Sequence, residues 1–192
     1  MEKKTGQIGV ETEMKQEGHL ILIGYMGCGK STVGQRLARV WNCRFADTDA
    51  LIEEAEGCTV SELFSRKGEA YFRTKETQLL QQLLSQKERM VLATGGGLPL
   101  RRENVALVHR LGFVIYLRAG EETLLERLSH DTKRPLLAGG DRRETVHRML
   151  EQRDPVYLAA ADAYLQTDTL SMYETIRQVE QLARDGMLRK GE

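Results

Sequence analysis

Short runs of consecutive apolar residues alternate along the chain with longer stretches in which apolar residues recur every three or four positions. Runs of the first kind, Leu20–Ile23, Met90–Ala93 and Phe113–Leu117, offer no charged residue to solvent and predict strands covered on both faces. Arg44–Ala46 and Ala163–Leu165 are read as two shorter strands, the latter at an edge. The second pattern predicts helices at Thr32–Arg39, ending near Trp41, and at Ala50–Glu56, stopped by Gly57. Another runs from Thr59 to about Gln86, capped by Thr59 or Ser61 and broken at Gly68. Further helices are expected at Arg101–Arg110, Glu121–Leu128, Arg142–Arg153 (interrupted by Pro155) and Ser171–Ala183. The stretch His130–Asp141, with Pro135, Gly139 and Gly140, reads as a loop or lid.

Strands that alternate with helices imply βαβ units, hence an α/β fold with a five-stranded parallel sheet and helices on both faces. One domain is expected over residues 19–185, with a helical substrate-binding segment at about 49–86 and a lid at about 130–142. Residues 1–18 read as a disordered extension and 186–192 as a tail. In such sheets ligands bind beyond the carboxyl ends of the strands. Three motifs sit there: Gly24–Ser31 after the first strand, Asp47-Thr48-Asp49 after the second and Gly95-Gly96-Gly97 after the third.

Composition narrows the class without naming a reaction. The 192 residues carry 28 Lys+Arg and 28 Asp+Glu, and the zero net charge gives no polyanion-binding surface, so no nucleic-acid partner is expected. Cys28, Cys43 and Cys58 are odd in number and form no CxxC pair, which argues against a disulfide framework or a zinc site. No apolar stretch approaches the roughly 18 residues a membrane span needs. Met1–Gly18 has neither a signal core nor a transit composition. A cytoplasmic monomer with no membrane partner is expected.

Gly-Tyr-Met-Gly-Cys-Gly-Lys-Ser at Gly24–Ser31 is a complete G-x-x-x-x-G-K-[ST] phosphate-binding loop in its required strand–loop–helix setting. The backbone around Gly27, Cys28 and Gly29 can cradle phosphate oxygens at a helix N-terminus, with Thr32 in the first turn. Lys30 then reaches the β- and γ-phosphates, and Ser31 offers its hydroxyl to Mg²⁺. Cys28 occupies a position the motif leaves free and is read as a small filler. The ligand is a nucleoside triphosphate; the acceptor must come from the other motifs.

Asp47 and Asp49, two apart at a strand end, would share one face if the backbone stayed extended. One carboxylate can then hold Mg²⁺ through its water shell while the other accepts a hydroxyl proton, or Asp49 can simply cap the helix after it. Gly95, Gly96 and Gly97 either present unhindered N–H groups to a substrate or form a loose turn. Arg73 and Glu76 are either a surface i,i+3 ion pair or a carboxylate holding an arginine for bidentate anion recognition. Arg134, in Lys133-Arg134-Pro135-Leu136-Leu137, and Arg153, in Arg153-Asp154-Pro155-Val156-Tyr157, are weak signals taken alone.

In order and spacing, GYMGCGKST, DTD, FRTKE, LATGGG, KRPLL and RDPVY resemble the shikimate kinases, over about Gly18 to Asp168. Arg134 and Arg153 stand 19 positions apart, similar to that family's lid-to-substrate arginine spacing. The resemblance implies a P-loop, nucleoside-monophosphate-kinase-like fold with a mobile lid and transfer of the γ-phosphoryl group of ATP to the 3-hydroxyl of shikimate, with Mg²⁺ as cofactor. It implies Asp49 as the base and hydroxyl ligand, and Arg73 and Arg153 as a clamp on the substrate carboxylate, with Glu76 orienting Arg73. Gly96 and its neighbours would contact the ring hydroxyls, and Phe64 and Phe72 would wall the pocket unless they are core. Arg134 would reach the ATP phosphates from the lid, Arg127 would lie against the adenine, and Asp47 would join Ser31 on the Mg²⁺ water shell. Residues 1–18 and the loop Gln166–Leu170 depart from the family pattern. Rival readings are a gluconate or nucleoside monophosphate kinase on the same scaffold and a non-catalytic nucleotide-binding regulator. The two substrate arginines with DTD and GGG disfavour a nucleotide acceptor, and retention of the acidic and lid residues disfavours the regulator.

Overall fold

The computed structural model describes residues 18–129 and 142–190. Residues 1–17 of the expected N-terminal extension, nearly all of the expected lid and Arg134 lie outside the described residues. Five strands form one parallel sheet: β1 (His19–Ile23), β2 (Arg44–Asp47), β3 (Met90–Ala93), β4 (Gly112–Arg118) and β5 (Ala163–Gln166). Their order across the sheet is β2-β3-β1-β4-β5. β1 is central, with Leu20 level with Val91 on one side and Phe113 on the other. The continuous apolar runs therefore fall on the three interior strands, and the two shorter, more polar runs fall on the edges, as their patterns require.

The helices are α1 (Lys30–Val40), α2 (Thr48–Glu56), α3 (Val60–Leu83), α4 (Arg102–Leu111), α5 (Glu121–Leu128), α6 (Arg142–Ala160) and α7 (Met172–Lys190). Residue parity assigns them to faces of the sheet. Phe113 and Leu22 point to one face, since Leu20 pairs with Phe113 and lies two residues from Leu22. Gly34 of α1 comes within van der Waals reach of Leu22, and Gly186 of α7 packs on the Phe113 ring, so α1 and α7 cover that face. Tyr116, of opposite parity, meets Tyr157 of α6 with ring centroids 5.1 Å apart, so α6 covers the other face. A second, smaller cluster of Ile52, Leu63 and Phe72 joins α2 to α3 away from the main core.

Several local expectations hold to the residue. Gly57 ends α2 in a left-handed conformation with φ 66°. Thr59 and Glu62 form a reciprocal capping box at the start of α3. Gly68 breaks the helical dihedrals of α3, with φ 80° and ψ 166°.

Other expectations need correction. α6 does not stop before Pro155 but continues to Ala160. Proline removes one N–H, so one carbonyl four residues back loses its partner; Glu151 and Pro155 are both exposed, and water can satisfy that group. α7 is helical to Lys190 rather than ending at the expected Ala183. α2 begins at Thr48 rather than Ala50, which changes the reading of the aspartate pair.

Candidate active site

The phosphate loop joins β1 to α1. Gly24, with φ +142°, lies so close to β4 that a Cβ there would sit 2.6 Å from the carbonyl oxygen of Leu117. Gly29 takes a left-handed conformation (φ 98°) as the N-cap of α1, leaving that helix's first N–H groups for a ligand. Lys30 is buried, and its amine donates to the carbonyls of Gly24 and Tyr25 at 2.9 Å each. Its third N–H, among the described residues, faces only Cys28 Sγ, 3.8 Å away and a weak acceptor that a phosphate oxygen outcompetes. Gly27, Cys28, Gly29 and Thr32 line one cleft with Arg127 from the last turn of α5. Thr167 and Leu170, residues whose contacts the sequence left open, line the same cleft.

The aspartates divide their work. Asp47, not Asp49, caps α2: its Oδ1 accepts the N–H of Asp49 at 3.0 Å. Its Oδ2 accepts the Ser31 hydroxyl at 2.7 Å. The extended geometry expected for the pair ends at Asp47, so Asp49 projects from the first turn of α2. Asp49 there meets the triple glycine, where a Cβ on Gly95 would stand 2.3 Å from Asp49 Oδ1. Between them, the buried Thr48 hydroxyl accepts the N–H of Gly95 at 2.8 Å and ties the two motifs together.

Arg73 lies against the far end of the same turn, since a Cβ on Gly97 would be 2.3 Å from either terminal guanidinium nitrogen. Two carboxylates hold it. Glu76 accepts Nη1 at 2.9 Å, and Glu69 accepts Nε at 3.1 Å and Nη2 at 2.9 Å. The surface-pair reading fails for Glu76, which is fully buried. Burial raises its pKa to about 7, with Arg73 opposing and Asp49 reinforcing the rise. Its Oε1 has no hydrogen-bond partner among the described residues. Glu56 braces the helices that carry these groups, bonding Lys75 at 2.8 Å and Lys67 at 2.9 Å across the α2–α3 gap.

Gly96, the middle glycine, packs near the phosphate loop: a Cβ would be 3.5 Å from the Gly24 carbonyl. Its own carbonyl accepts the hydroxyl of Tyr157 at 2.6 Å. Arg153, one turn earlier on α6, lies 5.9 Å from the ring centre of Tyr25 in the phosphate loop. Burial pushes Tyr157 up to about 12, and the nearby Arg153 opposes that rise. Phe72 is buried with Ile52 and Leu63, which supports the core reading for it, and Phe64 stacks on it at 5.1 Å.

The structure thus brings together every candidate residue within the described chain, in two adjoining sets. Gly27, Cys28, Gly29, Thr32 and Arg127 face one cleft, with Lys30 beside it; Asp49, Arg73 and Gly95–Gly97 form the second set, with Arg153 beside the loop between them. Thr48, Glu69, Tyr116, Asp154, Tyr157 and Thr167 carry no role in the sequence reading. Of these, only Glu69 had a local signal, its i,i+4 spacing to Arg73.

Residues 26–184 match the family model described as shikimate kinase. A curated relative, shikimate kinase of Xylella fastidiosa strain M12, is 41% identical over 158 residues, covering 82% of this chain and 87% of that protein. Among solved structures, a shikimate kinase from Acinetobacter baumannii in complex with shikimate superposes with a TM-score of 0.82. It is 35% identical, with 88% of this chain and 94% of that chain covered. A gluconokinase from Sinorhizobium meliloti 1021, 18% identical with a TM-score of 0.52 over 91% of this chain and 98% of that chain, shares the fold alone.

Proposed function

The chain belongs to the shikimate kinase family, and we propose that it transfers the γ-phosphoryl group of ATP to the 3-hydroxyl of shikimate, giving ADP and shikimate 3-phosphate. The observation that carries this reading is the placement of Asp49 and Arg73 at opposite ends of the Gly95–Gly97 turn, beside the phosphate loop. A carboxylate and a held guanidinium on one short rigid turn suit a small hydroxylated acid, one end offering a proton acceptor and the other a carboxylate-binding fork.

Phosphoryl transfer needs alignment and charge neutralisation more than covalent chemistry. Lys30 binds the β- and γ-phosphates once it exchanges loop carbonyls for phosphate oxygens. Asp49 orients the 3-hydroxyl and takes its proton. Arg73 and Arg153 hold the substrate carboxylate, with Glu76 and Glu69 fixing Arg73, and the backbone of Gly95, Gly96 and Gly97 contacts the ring hydroxyls. Arg127 lies against the adenine, over a loop whose glycines and Thr32 receive the phosphates. Arg134 reaches the transferring group from the segment that follows α5. Ser31 and Asp47 place two hard oxygen donors 2.7 Å apart at the loop, a set that fits the water shell of Mg²⁺. That ion, when bound, neutralises charge on the β- and γ-phosphates.

Among the described residues no helix is long and apolar enough to cross a membrane. The three cysteines are free thiols, which fits the reducing cytoplasm in which we place the reaction, carried out by a monomer on two small molecules.

A coupled ADP-release assay with Mg-ATP tests the reading by comparing shikimate, gluconate and AMP as acceptors. Shikimate-dependent release is expected, with the other two at the ATP-only background. Release that shikimate does not raise above that background overturns the proposal. Lys30→Ala should abolish turnover.

A further inference from the structure

The RDPVY segment of α6 carries Arg153 at a point where the helix is locally weak. Pro155 supplies no N–H, so the turn containing Arg153 and Asp154 lacks one of the backbone bonds that would otherwise fix it. Something outside the helix must hold that turn if Arg153 is to keep one position.

Asp154 makes that connection. Its carboxylate accepts a two-pronged bond from Arg118, with Nε to Oδ1 at 2.8 Å and Nη2 to Oδ2 at 2.8 Å. The hydroxyl of the buried Tyr116 donates to the same Oδ1 at 2.8 Å. Both partners stand at the carboxyl end of β4, the rigid part of the fold. Arg118 is itself fixed, because its carbonyl accepts the N–H of Thr167 at 2.9 Å and the Thr167 hydroxyl at 3.1 Å. Paired, bidentate geometry of this kind sets orientation as well as distance. Burial pushes the Asp154 pKa up, but the bonds from Arg118 and Tyr116 outweigh it and leave the carboxyl below its ordinary value, so the anchor stays charged at neutral pH. One turn on, Tyr157 fastens the same segment to Gly96.

We propose that Asp154 is the positioning residue for Arg153: through Arg118 and Tyr116 it locks the proline-weakened turn of α6 to β4 and so sets where the Arg153 guanidinium meets the acceptor's carboxylate. The inference rests on the assignment of Arg153 to that carboxylate. Asp154 bonds Arg118 and Tyr116 and acts on the acceptor through Arg153.

The test compares shikimate with its carboxamide as acceptors, in the wild type, Arg153→Ala, Asp154→Ala, Asp154→Asn and the double variant Arg153→Ala/Asp154→Ala. The readout is the kcat/KM preference for the acid over the amide, together with KM for ATP. Asp154→Ala is expected to lower that preference about tenfold, less than the roughly hundredfold of a full 1 Å misplacement because Tyr157 still fastens the segment to Gly96. Asp154→Asn, which keeps an acceptor oxygen for Tyr116, is expected to fall between it and the wild type. KM for ATP should stay within about twofold in each, and the double variant should be no worse than Arg153→Ala, as for groups acting as one unit. If Arg153→Ala leaves the acid preference intact, the assignment of Arg153 to the carboxylate fails. If Arg153→Ala abolishes the preference but both Asp154 variants retain it, losing only thermal stability or losing equally on both acceptors, the positioning role of Asp154 is overturned.

Discussion

The hydroxyl of Ser31 donates to Oδ2 of Asp47 across 2.7 Å, joining the first turn of α1 to the end of β2, while Oδ1 of the same carboxylate caps α2. One side chain therefore serves both the fold and the proposed metal site, and the two duties are separable. Asp47→Asn keeps an oxygen for the Asp49 N–H but replaces the other with an amide nitrogen. The Mg²⁺ concentration giving half-maximal velocity should rise about tenfold, within the range seen when an outer partner of a metal is lost. Stability should change little. Asp47→Ala should also lose about 1 kcal/mol in urea unfolding, the ordinary value of a helix cap. Chelation of the metal should silence all three proteins. An unchanged Mg²⁺ requirement in Asp47→Asn would leave Asp47 as a cap alone.

Glu76 gives a pH dependence of opposite sign for stability and for binding. An unperturbed glutamate titrates near 4.5, whereas burial holds Glu76 to about 7. Folding therefore takes up a proton between those values, and the contribution of this group to stability falls as pH rises from about 4.5 to about 7. Its ionised form, however, is the better partner for Arg73. The KM for shikimate should fall as pH rises through about 7, while the wild type loses stability relative to Glu76→Gln as pH rises from about 4.5 to about 7. Glu76→Gln should flatten both profiles. Identical pH profiles in wild type and variant would show that Glu76 does not titrate in this range.

Much of this architecture is written locally, and that part was legible in the sequence. The phosphate loop is a contiguous motif, Gly57 and the Thr59–Glu62 box are local stop and start signals, and the apolar runs carry their burial in their composition. Contacts that join distant residues left no such trace. Tyr157 meets Gly96 across 61 positions, Gly95 meets Thr48 across 47, and Asp154 meets Arg118 across 36. The aspartate pair shows how a small local error propagates. Placing the helix start at Ala50 made Asp49 the candidate cap; the chain turns helical at Thr48, so Asp47 caps and Asp49 is carried toward the glycine turn. Pro155 interrupts the helical pattern without ending α6, because the one backbone bond it removes lies on an exposed turn where water can take its place.

Gly34 tests whether propensity or packing decides stability in α1. Alanine in place of a helical glycine ordinarily gains about 1 kcal/mol. Here the added Cβ would lie 2.7 Å from Cε2 and 3.1 Å from Cδ2 of Phe45, and 3.4 Å from Cδ1 of Leu22. The ring of Phe45, a partly buried residue of β2, packs against α1 and must shift for that Cβ, so an overpacking cost of about 1–3 kcal/mol applies. Gly34→Ala is expected to lower stability by about 1 kcal/mol in urea unfolding, with normal KM values for both substrates. A stabilised variant would mean that Phe45 repacks freely.

The triple glycine should separate into positions with different kinetic signatures, because each faces a different group. On Gly97 an alanine Cβ would fall 2.3 Å from both terminal nitrogens of Arg73. The guanidinium is the far end of a flexible chain, so the fold survives while the clamp is displaced. Gly97→Ala should raise the KM for shikimate by about a hundredfold, the scale associated with roughly 1 Å misplacement of a binding group. On Gly95 the Cβ would fall 2.3 Å from Asp49 Oδ1, so Gly95→Ala should instead lower kcat, by about 10²–10⁴ as for loss of a positioned general base. On Gly96 the nearest atom would be 3.5 Å away, an ordinary contact, and Gly96→Ala should be the mildest of the three. Steady-state kinetics with each substrate varied, alongside thermal unfolding, distinguishes these outcomes. Equal losses in kcat and KM across all three variants would show that the turn acts only as a spacer and that Asp49 and Arg73 do not hold separate ends of the acceptor.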